Sequence, residues 1–259
     1  MNPGLIIYIL ERELPLFLLI FLRTLFLLVI FPIFAGNFFP TKGKIALSLV
    51  LALSLTPFLS SKVGAPKDLG ELFFLIISDF FLMFVVALFF RLIIGGLQLG
   101  GELVGLQMGF GISQTFDPIS GVSMPVIAQF IYFIFIFFFF SLDVHHNLIY
   151  FLIKSFYELP PGILFNSENF FRFIIKKSHL LFDIAVKFLA PLIVFMFLIN
   201  VILGVIGRLL PQINVLFVSF PLTLGLGLFF LSLMLLVVPK VLKQYFFQFG
   251  EFLISILRL

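Results

Sequence analysis

Long apolar runs without a charged residue constrain this chain most strongly. Five such runs cover residues 24–41, 45–61, 118–142, 188–207 and 209–239. Each has the length of a helix that crosses a hydrocarbon core of about 30 Å. The runs do not alternate between polar and apolar residues as membrane β-strands require; residues 130–140, for example, read FIYFIFIFFFF. With 62% hydrophobic and 11% charged residues, the sequence predicts an all-α integral membrane protein.

Composition and short motifs narrow the possible functions. The formal net charge is +4 and no basic block is present, so we expect no nucleic-acid partner. The chain has no cysteine, and therefore neither a disulfide framework nor thiolate chemistry. No G-x-S-x-G or H-E-x-x-H motif and no phosphate-binding loop occurs, so we expect no enzyme, no cofactor and no catalytic metal. The first residues lack the basic region and the cleavage site of a signal peptide, so the first hydrophobic segment should remain.

The stretch from residue 91 to 124 interrupts the apolar pattern with glycines, charges and prolines. Helical spacing places Arg91, Gln98 and Glu102 on one polar face. Another face carries a glycine at every fourth position, namely Gly101, Gly105 and Gly109. Glycines at this spacing let a second backbone approach closely within a membrane. We therefore assign Arg91, Glu102, Gly101 and Gly105 to packing between helices or subunits.

A loop is predicted directly after this helix, because turn-forming residues replace helix formers. They are Gly111, Ser113, Gln114, Thr115, Asp117, Pro118, Ser120 and Gly121. Non-helical backbone at membrane depth is tolerated only where it is buried in protein or lines a cavity. The loop should therefore lie at an interface or in a pore. Asp117 either caps the turn before Pro118, which is the ordinary role, or forms a proton relay with Glu102.

Several charged groups lie inside or beside apolar segments. Arg23 is the only charged residue from position 14 to position 41, so it should face protein rather than lipid. Asp79 and Arg91 lie about 18 Å apart along one straight helix and cannot pair with each other. Their partners are expected on other helices or other subunits. His145 and His146 are adjacent and point about 100° apart on a helix, so they are not expected to share a metal ion.

The last third is predicted to be a helical hairpin broken at Pro211. Its first arm presents a small, polar face that consists of Asn200, Gly204 and Arg208 at steps of four. A bulky residue at Gly204 is expected to separate the two arms. From residue 240 to 259, lysines and glutamines interleave with aromatic residues, which predicts an amphipathic tail.

Three separated motifs resemble one known family. They are GELVGLQMGF at residues 101–110 with the following Asp117-Pro118 and MPV at residues 124–126, HHNLIYFLIKSFYELPPG at residues 145–162, and NVILGVIGRLLPQINVLFVSFPLTLGLG at residues 200–227. In this order they resemble the FliR family of the flagellar type III protein export gate and its SctT counterpart in injectisomes. Residues Arg23, Pro32, Gly36, Pro40 and Lys42 fit the same family. The resemblance thus covers nearly the whole chain.

The resemblance implies a fold and a set of partners. A FliP-like helical portion would occupy residues 1–185, and a FliQ-like hairpin with its amphipathic tail would occupy residues 186–259. The chain would join FliP-like and FliQ-like subunits around a gated channel for unfolded flagellar proteins, with an FlhB-like subunit in contact. It would lie among lipids of the bacterial inner membrane, at the flagellar basal body.

The resemblance further implies that the loop at residues 108–124 is the plug of the channel. Its apolar residues are Met108, Phe110, Ile112, Phe116 and Met124, and its hinge and turn residues are Gly109, Gly111, Asp117, Pro118 and Gly121. Two alternatives stay open beside the flagellar function. One is an injectisome component, and the other is a secondary transporter for a small solute, because broken helices with charges at mid-membrane are typical of transporters.

Overall fold

The computed structural model describes residues 13–35, 39–59, 66, 68–111, 125–159, 167–212 and 214–257. Within these ranges every regular element is a helix and no strand occurs, which confirms the all-α prediction. The helices are α1 (Leu14–Ile30), α2 (Pro32–Ala35), α3 (Thr41–Leu59), α4 (Leu69–Gln107), α5 (Val126–Ser141), α6 (Val144–Glu158), α7 (Ser167–Leu209), α8 (Val215–Leu235) and α9 (Val238–Leu257).

Four helical segments are long and apolar enough to cross a membrane. They are α3, α4, Leu189–Leu209 of α7 and Phe217–Leu235 of α8, and α5 together with α6 would add a fifth span. Because α4 has 39 residues, it extends for about 58 Å, roughly twice the thickness of a hydrocarbon core. Multiple membrane-spanning helices are therefore confirmed for this chain.

Prolines and one aspartate set several helix boundaries. Pro15 lies in the first turn of α1, where its missing N–H group costs nothing. The helix ends at Ile30, and the capping residue Phe31 has an extended ψ of 125°, which suits the residue before a proline. Asp143 takes a left-handed conformation with φ of 55° and separates α5 from α6. The predicted break at Pro211 lies between the end of α7 and the start of α8.

The first of two compact units combines Met1–Arg91, Asp143–Ile175 and Gln248–Leu259. In this unit α1 packs against α3, and phenylalanine rings form much of the core. Phe31 lies 4.4 Å from Phe90 between ring centroids, and Phe89 lies 4.3 Å from Phe252. All four side chains are buried or nearly so because segments remote in sequence meet there.

The second unit combines Leu92–Leu142 with Lys176–Phe247. It contains the last turns of α4, all of α5 and α8, and most of α7. Phe135 of α5 contacts Phe246 of α9 at 5.1 Å between ring centroids. The predicted division at residues 185 and 186 lies inside the continuous helix α7. The division separates a FliP-like segment from a FliQ-like segment by family resemblance, whereas the two compact units are defined by contacts within the fold. It therefore stays a prediction.

Candidate functional site

Helix α4 ends in a tight glycine turn where the plug loop was predicted to begin. The Gly109 amide donates to the Leu106 carbonyl at 3.1 Å, and the Phe110 amide donates to the Gly105 carbonyl at 3.0 Å. Gly109 has a φ of +95°, a conformation that glycine alone adopts without strain. These two bonds and the left-handed residue form a Schellman motif. Gly109 therefore ends the helix, while its role as a hinge stays a prediction.

Side chains from α7 and α8 cap the carbonyl groups that this turn leaves open. The Thr223 hydroxyl donates to the Met108 carbonyl at 3.2 Å, and the Asn200 amide donates to the Gln107 carbonyl at 3.3 Å. These carbonyls are among those that lose their partners at a helix end. The Met108 side chain is fully buried and lies so close to Gly227 that a Cβ there would be 2.6 Å from Met108 Cγ. The hairpin therefore holds the end of α4.

The predicted plug residues divide into two groups. Met108 packs against α8 of its own chain, so in this structure it anchors the start of the segment, whereas Phe110 and Gly111 are half-buried. Ile112, Phe116, Asp117, Pro118, Gly121 and Met124 lie outside the described residues. The plug assignment as a whole stays a prediction.

The glycine face of α4 differs from one position to the next. A Cβ on Gly101 would lie 2.8 Å from the Ala128 Cα of α5, so the two backbones meet there. At Gly105 the nearest atom would be Ile127 Cβ at 3.5 Å, an ordinary contact. Gly100, which the sequence analysis did not single out, approaches α7 instead, because its Cβ would lie 2.8 Å from the Ala185 carbonyl oxygen.

A buried ion pair lies in the first unit. Arg23 Nη2 donates to Asp79 Oδ1 at 2.5 Å, and the two side chains are 1% and 2% exposed. Arg23 Nη1 also donates to the carbonyls of Ser155 at 3.0 Å and Leu159 at 3.1 Å. The Phe156 ring centroid lies 4.3 Å from the guanidinium carbon. Arg23 therefore joins α1, α4 and the end of α6, and the partners expected from other helices belong to the same chain.

The remaining charged residues assigned to packing are exposed in this chain. Arg91 donates to the Ile30 carbonyl at 3.3 Å. Glu102 is exposed, so it is not the buried carboxylate that a proton relay within this chain requires. Arg208 lies in the last turn of α7, where its positive charge interacts favourably with the helix dipole.

The prediction that Gly204 holds the hairpin arms together is wrong. A Cβ added at Gly204 would meet no atom of the described residues within 4 Å. A Cβ at Gly207 would lie 2.8 Å from Val215 Cγ2. The close contact between the arms is therefore three residues later, beside the break, and Gly204 faces outward.

The geometric argument against a shared ion at His145 and His146 is also wrong. Their ring centroids are 4.2 Å apart, and together with Asp143 they offer ligand atoms that all lie within 4.8 Å of one another. The group lies at the first turn of α6, where the positive end of the helix dipole opposes a cation. Asp143 and His146 are also largely exposed. We therefore assign no metal to this cluster.

Comparison with known proteins identifies relatives along nearly the whole chain. Residues 14–249 match the family described as bacterial export proteins, family 1. The chain is 29% identical to the flagellar biosynthetic protein FliR of Pectobacterium carotovorum subsp. carotovorum over 237 residues, which cover 92% of this chain and 90% of that protein. It is 29% identical to FliR of Bacillus subtilis, with 90% of each chain covered. It is 31% identical to FliR of Buchnera aphidicola subsp. Schizaphis graminum, with 77% of each covered.

Proposed function

Because this chain belongs to bacterial export protein family 1, and within it to the FliR family, we propose that it forms part of the channel of the flagellar export gate. As a family member it is a component of the flagellar export apparatus, located in the inner membrane with several apolar helices. The observation that carries the proposal is the continuous match from residue 14 to 249, which includes the capped end of α4.

We propose that FliP-like and FliQ-like subunits surround the chain and that an FlhB-like subunit contacts it. Large apolar side chains are exposed along α7 and α8, including Phe197, Phe217 and Phe229. Lipid covers a band of about 30 Å, whereas helix α4 is about 58 Å long and exposes apolar side chains near both of its ends, such as Phe73 and Leu106. This excess of apolar length supports neighbouring subunits as a cover for part of the surface.

We further propose that residues 108–124 plug the channel until an unfolded flagellar protein passes. An apolar constriction blocks ions because water leaves it, and methionine side chains can re-pack around unlike substrates. The segment begins at a fixed point, since Gly109 closes the Schellman turn and Met108 is buried against Gly227. A plug of this kind needs a firm base and a loosely held tip.

Copurification from native membranes tests the assembly. A tagged chain, extracted in mild detergent, should bring FliP-like, FliQ-like and FlhB-like subunits with it, identified by mass spectrometry. Recovery of the chain alone, although it is folded, would contradict the proposal. Recovery with injectisome components would instead support the SctT-type alternative.

The small-solute transporter is tested separately in liposomes. The purified chain alone should show no saturable, ion-coupled uptake of a small solute. Such uptake by the isolated chain would exclude a purely channel-forming role and favour the transporter.

A further inference from the structure

We propose that Thr223 is a releasable latch: it holds the C-terminal end of α4 against α8 and can let go without losing a hydrogen bond for its own hydroxyl. The inference rests on the proposed function, because the end of α4 is where the proposed plug begins. In this role Thr223 is a positioning residue, since it acts on the segment through Met108 and Gly109.

The Thr223 hydroxyl has three acceptors within reach. They are the Ser219 carbonyl at 2.9 Å, the Phe220 carbonyl at 3.2 Å and the Met108 carbonyl at 3.2 Å. A hydroxyl has one proton and can rotate toward whichever acceptor suits it. Threonine within a helix commonly bonds the carbonyl four residues earlier, which is Ser219 here. The bond to α4 therefore competes with a shorter bond inside α8.

Because of this competition, breaking the bond between Thr223 and Met108 costs the Thr223 hydroxyl little free energy. When a bonded partner leaves, a buried donor normally pays the full cost of desolvation. Thr223 avoids that cost because its hydroxyl can turn back to Ser219. The Met108 carbonyl lies at the end of α4, where carbonyl groups have no partner inside their own helix, so the cost of release falls on this carbonyl alone. The contact favours one position of α4 without locking it.

Packing on the same face of α8 supports the latch. Phe220, Thr223 and Gly227 lie at spacings of three and four, so they share one helix face. A Cβ on Gly109 would lie 3.1 Å from the Phe220 ring, and Met108 occupies the space that a side chain at Gly227 would take. The end of α4 therefore rests on three consecutive positions of one face, with Thr223 as the polar contact in the middle.

The test uses the assembled export complex that carries Thr223→Val, which keeps the branched shape and removes the hydroxyl. We expect hydrogen exchange at the Gly109 and Phe110 amides to become roughly two- to tenfold faster, as the loss of one neutral hydrogen bond predicts. Ion leakage through the complex should rise as well. Thr223→Ser should restore both values. Thr56→Val is the matched control, because the Thr56 hydroxyl bonds the Ala52 carbonyl of its own helix, and it should change neither.

The outcomes separate the latch from the plug. Unchanged exchange at Gly109 and Phe110 in Thr223→Val overturns the latch, whatever the leakage. Faster exchange with unchanged leakage supports the latch and counts against the plug. If Thr223→Val does not assemble, Gly227→Ala replaces it, since the added Cβ pushes on Met108. Gly225→Ala is its control, because a Cβ there meets no atom of the described residues within 4 Å. Equal exchange in these two variants overturns the proposal.

Discussion

Arg23 and Asp79 illustrate what a charged side chain requires inside an apolar chain. The guanidinium group offers five donors, and three of its acceptors come from a carboxylate on α4 and two carbonyls at the end of α6. The sequence alone indicated that Arg23 must face protein, because a charge exposed to lipid is costly. It did not indicate the pairing, since 56 residues separate the partners and only the tertiary fold brings them together.

Asp79→Asn should destabilise the protein strongly. The substitution keeps the shape of the side chain but leaves the Arg23 charge buried without its counter-ion, at a cost of about 3 kcal/mol. The thermal midpoint of the purified complex in detergent measures this effect and should fall clearly.

The exposed Lys187–Asp183 pair supplies a control with the same chemistry. Its hydrogen bond from Lys187 lowers the pKa of Asp183, yet the two side chains are 70% and 45% exposed, in contrast to the buried pair. Such pairs contribute little to stability, so Asp183→Asn should leave the midpoint unchanged. Equal midpoints for the Asp79 and Asp183 variants would show that the buried pair does not stabilise the fold.

At the scale of helices, the sequence predicted where helices end better than it predicted which residues of different helices touch. The predicted break at Pro211 follows from the chain's own turn chemistry, and the structure has it between α7 and α8. The glycine repeat predicted close packing, but it did not distinguish Gly101, which meets a backbone, from Gly105, which does not. That difference depends on which residue of α5 lies opposite, and spacing along α4 contains no such information.

Alanine at these two glycines should therefore have opposite effects. Gly101→Ala places a Cβ 2.8 Å from the Ala128 backbone, so α4 and α5 must move apart, at a cost of about 1–3 kcal/mol. Gly105→Ala meets Ile127 at an ordinary 3.5 Å and gains up to about 1 kcal/mol of helix propensity. Thermal midpoints of the two variants measure the difference. The same sign for both would contradict the packing described for α4.

At the scale of the whole molecule, we infer that Gly204 contacts a neighbouring subunit rather than the other arm of the hairpin. It is exposed, and neighbouring side chains such as Val201 and Val205 are exposed and apolar. A small residue on such a surface suits close approach by another helix. Gly204→Leu should leave the yield and helical content of the isolated chain unchanged and lower its recovery in the complex. Gly207→Ala, which meets Val215, should instead affect the isolated chain. Normal recovery of the Gly204→Leu complex would exclude this surface as a subunit contact.

Under the proposed function, the segment that follows α4 is the plug that closes a channel. Its described base is fixed by the turn at Gly109 and by Met108, so removal of residues 111–121 leaves the contacts of α4, α7 and α8 in place. Assembly should therefore persist, as measured by copurification.

If the segment is the proposed plug, leakage of ions or small solutes across membranes that carry the variant gate should rise, because the variant lacks the apolar side chains that would expel water. Export of flagellar proteins should be measured in the same cells, since a channel without its plug and a damaged link between α4 and α5 affect export differently. A deletion variant that assembles fully and leaks no more than the parent would make the segment a simple connection between α4 and α5. The seal of the channel would then have to come from neighbouring subunits.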